Sequence, residues 1–203
     1  MKQPMPRRSL AFLAHSTTFR GVLGAVLLVL LANAAPAEEK EKEQKLIRWR
    51  DGLWRTELSI FTGIRSGGRS RTNDVNLNGT LEYEMPAGKR GTAGIRIHPL
   101  FFYDEKRTDR KVWGGAVGPM IRIYRKGHDR RGLFGEMGGS VLWHSNEIRG
   151  NTSRVNFLFE TGVGYKFDTK WHVSAKVRHF SNAGIDSKNS GVNAIGLAVG
   201  YTF

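Results

Sequence analysis

His179 and Ser181 stand two residues apart in the stretch RHFSNAGIDSKNSGVN, which runs from Arg178 to Asn193 near the end of the chain. An imidazole beside a hydroxyl can do nucleophilic chemistry, because the ring removes the hydroxyl proton and the oxygen attacks a carbonyl carbon. Side chains of an extended strand alternate between its faces, so residues two apart share one face. Applied to the last two apolar segments, this rule places Trp171, Val173, Ala175, Val177, His179 and Ser181 together. It places Asn193, Ile195, Leu197, Val199, Tyr201 and Phe203 on the matching face of the next segment. His179, Ser181 and Asn193 thus share a patch whose other members are apolar. A second pair, His144 and Ser145 in WHSNE, is adjacent and points to opposite faces, which marks a loop entrance.

The elements that carry this patch are strands throughout. From Leu53 onward no segment keeps the helical period of about 3.6, whereas eight segments of about ten to fifteen residues alternate apolar and polar side chains. They run from Leu53 to Ile64, Asp74 to Met85, Thr92 to Tyr103, Val112 to Tyr124, Leu133 to Trp143, Arg154 to Phe167, Trp171 to Ser181 and Val192 to Phe203. Their polar faces carry Glu57, Glu82, Glu84, Glu136 and Glu160 with Arg55, Arg96, Arg122, Lys166, Lys176 and Arg178; His98 falls beside Arg96. A dry core cannot hold so many ions, but a narrow lumen lets opposite charges pair beside some water. The apolar faces must then look outward.

The expected fold class is therefore all-β, an eight-stranded antiparallel transmembrane β-barrel of the bacterial outer membrane, filled by its own side chains. Trp54, Tyr124, Tyr165, Phe167, Trp171, Tyr201 and Phe203 are expected to gather at one rim, and Tyr103, Trp113 and Trp143 at the other, as interfacial girdles. Pro99 and Pro119 each delete a ladder hydrogen bond, so bulges or altered strand limits are expected there. Short turns on the periplasmic side place both termini in the periplasm.

The chain has 203 residues, 25 glycines and no cysteine, which allows one domain and excludes a disulfide framework. Lys2, Arg7, Arg8 and Arg20, the apolar run GVLGAVLLVLLANA and the small residues that follow predict a removable export signal over residues 1–37. Residues 38–52, beginning EEKEKEQK, form a polar periplasmic tether, and 53–203 the barrel. Residues 1–37 hold four basic and no acidic side chains, so removing them lowers the formal net charge from +14 to +10. For an exported chain that charge points to anionic lipid and not to nucleic acid. The six histidines lack metal-ligand spacing and no phosphate-cradling glycine loop opens a helix, so neither a metal nor another cofactor is expected.

HFSNAGIDSKNSGVN, followed by a short apolar strand and a terminal aromatic, resembles the C-terminal signature of the outer-membrane lipid A 3-O-deacylases, the PagL family. The resemblance is specific over about the last 50 residues and architectural before them. It implies an eight-stranded barrel that removes the ester-linked acyl chain at position 3 of lipid A, with Ser181 as nucleophile and His179 as general base. It also implies that Asn182 and Gly184 belong to the motif, and that the Asn189 side chain and the Gly184 amide receive the oxyanion. The family's glutamate, twelve residues after the serine, maps onto Asn193. An amide oxygen can orient the ring but brings no charge to stabilise an imidazolium.

That departure leaves three expectations: a weakened esterase, one in which Asp186 substitutes as the acid, or a structural or adhesive barrel that kept the scaffold. The resemblance implies lipid A or lipopolysaccharide as substrate and outer-membrane lipid as surroundings, with the assembly machinery reading Phe203; a homodimer stays open. Arg65, Arg69, Arg71, Arg107, Arg110, Lys111, Arg149 and Lys188 lie in loops of the outer rim, where they either keep the surface soluble or meet lipopolysaccharide phosphates.

Overall fold

A computed structural model describes residues 47–65, 70–126 and 130–203. The expected export signal, EEKEKEQK and Arg69 lie outside the described residues. Eight strands follow one another: β1 (Leu53–Gly63), β2 (Val75–Ala87), β3 (Gly91–Glu105), β4 (Arg110–Lys126), β5 (Arg131–His144), β6 (Val155–Lys166), β7 (Trp171–Ser181) and β8 (Val192–Thr202). Each pairs antiparallel with the next, and β8 pairs with β1 to close the barrel. Closure leaves no strand edge unpaired, which a wall in lipid requires.

The pattern of alternation seen in the sequence has its physical cause in the lumen. Arg96 reaches Glu82 at 2.8 Å, Glu160 at 3.4 Å, Glu136 at 3.5 Å and Glu57 at 3.9 Å. Arg122 bridges Glu82 and Glu136, Arg178 meets Glu160 at 2.6 Å, and Lys176 contacts Glu57 and Glu136. Because these ions neutralise one another inside, the opposite faces are free to be apolar. Leu58 and Leu197 are 64% and 66% exposed, in a belt that includes Ile60, Ile95, Ile121, Val141 and Val199. A charged interior inside an apolar belt is the build of a transmembrane barrel. Toward the loops that flank Ser181 the lumen changes character, and Phe101, Tyr103, Leu142, Leu158 and Phe180 form an apolar plug.

Several expectations need correction. Tyr124 and Tyr103 belong to no girdle, for both are buried in the lumen. Tyr124 keeps phase with inward Arg122 and donates its hydroxyl proton to Glu84 at 2.8 Å. Tyr103 is turned inward by a bulge at Pro99, where the β3–β4 register shifts between His98 and Phe101, and it donates to Asp74 at 2.5 Å. Pro119 causes no shift, since it faces outward in continuous register opposite Ile95. Arg71 and Arg149 are not free rim cations: both pair with Glu105, at 3.3 Å and 2.9 Å, beneath the loops. The end of the tether is ordered against the barrel, with Ile47 bridged to Ala87 and a single 3-10 turn over Trp49–Asp51 whose Trp49 carbonyl accepts from the Tyr83 hydroxyl.

Arg96 is the cation shared by the largest set of lumen carboxylates, so Arg96→Met should cost about 3–5 kcal/mol, the penalty of leaving buried charges unpaired. Urea unfolding in detergent micelles, followed by tryptophan fluorescence, measures it; unchanged stability would refute the role assigned to the cluster.

Candidate active site

Three neighbouring strands, β6, β7 and β8, build the site. His179 lies directly across the ladder from Asn193 on one side and from Phe159 on the other, and Ser181 lies across from Phe157. Phe180, between the two polar residues, points the opposite way and packs edge-on against Phe101 and Tyr103 at 5.8 Å and 5.7 Å. That inward anchor fixes the phase of the strand end, so His179 and Ser181 must face outward.

The geometry makes a continuous line. His179 Nδ1 lies 2.7 Å from Asn193 Oδ1, and His179 Nε2 lies 3.1 Å from Ser181 Oγ. An amide oxygen can only accept, so Nδ1 carries the proton and donates to Asn193. Nε2 is then the acceptor, and the Ser181 hydroxyl donates to it. This is the tautomer that a general base needs. Gly191 makes room for the ring, since a Cβ there would stand 2.6 Å from His179 Cε1. Sequence reasoning passed over Gly191, although a glycine two residues before Asn193 on the same face was its visible trace.

The loop after Ser181 curls around Asn182. Asn189 Oδ1 accepts from the Asn182 amide at 3.0 Å, which leaves the Nδ2 protons of Asn189 turned away from that contact. Gly184, at φ +87°, is exposed, and its N–H donates to Asn182 Oδ1 at 2.9 Å. In this geometry the Gly184 N–H is committed to its own turn, whereas the Asn189 side chain is held through its oxygen. Asp186 is turned to the Ser187 N–H at 2.5 Å; with a further bond from Thr152, this holds its carboxyl below the usual aspartate range. Among the described residues no cluster of histidine and carboxylate side chains fits a metal ion.

The family model for lipid A 3-O-deacylase (PagL) matches residues 48–202. The chain belongs to that family. Among solved structures, that of the outer membrane enzyme PagL is 18% identical, with a TM-score of 0.56 over 72% of this chain and 98% of that one. Neisserial surface protein A is 12% identical, with a TM-score of 0.49 over 74% of this chain and 97% of that one. No curated protein sequence matches. Family membership covers the barrel from the end of the tether to the last strand, so the His179–Ser181 line sits within the matched region.

Gly191→Ala should therefore act through the imidazole. Displacing a base by a fraction of an ångström to an ångström costs up to about 10²-fold in turnover, and labelling of Ser181 by a fluorophosphonate should slow in parallel. Full labelling at the wild-type rate would show that the ring tolerates the methyl group.

Proposed function

We propose that this protein is a serine esterase that removes the acyl chain ester-linked at position 3 of lipid A in the outer leaflet of the outer membrane. The observation that carries this reading is the hydrogen-bonded line Asn193–His179–Ser181 on the outside of the barrel, beside Phe157 and Phe159. A hydrophilic substrate would not reach a hydroxyl set among lipid-facing aromatics. A lipid in the surrounding leaflet arrives by lateral diffusion.

In the proposed reaction His179 Nε2 takes the Ser181 proton as Oγ attacks the ester carbonyl. The resulting oxyanion is received by Asn189 Nδ2. Collapse breaks the bond to the sugar oxygen, which takes the proton from the imidazolium to become a hydroxyl, and leaves an acyl-enzyme. Water, deprotonated by the same nitrogen, then releases the fatty acid and restores the serine. Asn193 holds the ring in its working tautomer throughout. The barrel lies in the membrane with both termini periplasmic, reached through the N-terminal export signal and the assembly machinery that reads Phe203.

Mass spectrometry of lipid A from cells with and without the protein tests the activity directly: loss of one 3-O-linked acyl chain is expected. Ser181→Ala and His179→Ala should each abolish that loss while the barrel remains folded, because neither side chain packs in the lumen. A fully active variant of either kind would overturn the assignment.

Asn193→Glu should raise activity by up to about 10²-fold. The amide already supplies orientation, so only the charge contribution, about 3 kcal/mol at 1.36 kcal/mol per tenfold, is left to gain. Initial rates of acyl release in matched detergent micelles decide it. A second reading, a structural barrel that kept the scaffold, is favoured by the same amide in place of the acid, and inactivity of both proteins would select it.

A further inference from the structure

The loop that follows Ser181 is held from outside as well as by its own turn. Asn182, Asn151, Asn156 and His144 are all buried, and they form one directional chain of hydrogen bonds. His144 Nδ1 lies 2.7 Å from the Asn146 carbonyl and must donate to it, so Nε2 is an acceptor. Asn156 Nδ2 donates to that nitrogen at 2.5 Å. Asn156 Oδ1 accepts from Asn151 Nδ2 at 2.5 Å, and Asn151 Oδ1 accepts from Asn182 Nδ2 at 3.1 Å. Asn182 Oδ1 closes the series by accepting the Gly184 N–H. Each amide uses its oxygen on one side and its nitrogen on the other, so the chain from His144 runs in the same sense as the main-chain bonds that Asn151 makes with Ser153 and Asn182 makes with Lys188.

The main chain repeats the connection. Asn151 forms a bridge with Asn189, the Ser190 N–H donates to the Gly150 carbonyl at 2.7 Å, and the Thr152 N–H donates to Lys188 at 3.2 Å. The β5–β6 loop is therefore the template on which the β7–β8 loop is laid. Its far end is WHSNE, the motif whose adjacent histidine and serine face opposite ways. Four buried polar side chains are a costly way to support a surface loop that apolar residues could pack, unless the orientation of that loop matters.

We propose that His144, Asn156 and Asn151 are positioning residues for ester hydrolysis at Ser181, acting through Asn182 to hold Asn189 where the oxyanion forms; this rests on the esterase reading above. None of the three touches the reacting atoms. Their effect is on the transition state, where the oxyanion appears, and little on the binding of the ground-state ester.

The test uses the full mature chain, folded in detergent micelles, with three variants. His144→Leu fills the space without an acceptor, His144→Gln restores an acceptor oxygen toward Asn156, and Asn151→Ala breaks the chain while leaving His144 in place. Acyl release from lipid A gives kcat and KM, and hydrogen exchange followed by mass spectrometry reports on amides 182–190. His144→Leu and Asn151→Ala should lower kcat about ten- to a hundredfold with KM within about twofold, and should speed exchange in the loop. His144→Gln should stay within about threefold of wild type in kcat, with the loop protected. Wild-type kcat in Asn151→Ala, a loss confined to KM, or equal losses in His144→Leu and His144→Gln would overturn the proposal. If the wild-type protein hydrolyses no ester, the esterase reading fails and the exchange arm decides the rest. Loop protection kept in His144→Gln and lost in Asn151→Ala then supports the template, and unchanged protection in Asn151→Ala overturns it.

Discussion

Arg96 stands within ion-pair distance of four glutamates from four different strands, and the rest of the barrel depends on that cluster remaining neutral. Its carboxylates are shared in turn by Arg122, Lys176 and Arg178, so no single pair bears the desolvation cost alone. Once the ions are inside, closure of the eight strands satisfies the backbone and the opposite faces can be wholly apolar. The usual order of a folded domain, greasy within and polar without, is thereby inverted. No charged side chain is required at the lipid belt for folding.

The inversion decides where chemistry can occur. Among the described residues the lumen is filled with salt bridges at mid-height and plugged by Phe101, Leu142, Leu158 and Phe180 nearer the site. Reactive groups therefore belong on the outer wall or in the loops. The strand end at His179 uses both options, because inward Phe180 locks the plug while its two neighbours project into the lipid. The lumen plug and the outward hydrogen-bonded pair thus come from the same three residues on opposite faces. Gly191 is the concession that leaves room for an imidazole beside the next strand.

The strands were legible because charge and apolarity alternate with a period of two, and a one-residue error flips a whole face. That same sensitivity explains one of the two misplaced tyrosines. Tyr103 follows a bulge at Pro99 that no alternation pattern can show, since Pro99 and Leu100 are both exposed. Tyr124 had the right phase to be read as inward, through Arg122, but its ring suggested a girdle. At the site, the period of two was enough to bring His179, Ser181 and Asn193 to one patch. It was not enough for the loops. Asn182, Asn151 and Asn156 join across stretches with no periodicity, and the loss of Arg71 and Arg149 from the free rim depends on Glu105, which lies in another part of the chain.

Asn193 raises the question of why an amide should stand where a carboxylate would serve the imidazolium better. Lipid exposure alone does not answer it. A charge on the lipid face costs about 2–4 kcal/mol at the bilayer midplane for basic residues but falls to about 0–1 near the interface, and less for carboxylates. Asn193 is the second residue of β8, beside the loop, and its main-chain oxygen accepts from Ile64 at the end of β1, so it lies near the rim. The saving in insertion is therefore small, whereas in the proposed reaction the imidazolium lacks the countercharge that a carboxylate would supply. What the amide keeps is the tautomer, because its oxygen faces Nδ1. In the proposed reaction, a site built this way holds its base poised in the resting state and gives up stabilisation only as charge develops. Its deficit belongs to the transition state, and the ground-state geometry of the line from Asn193 to Ser181 carries no sign of it.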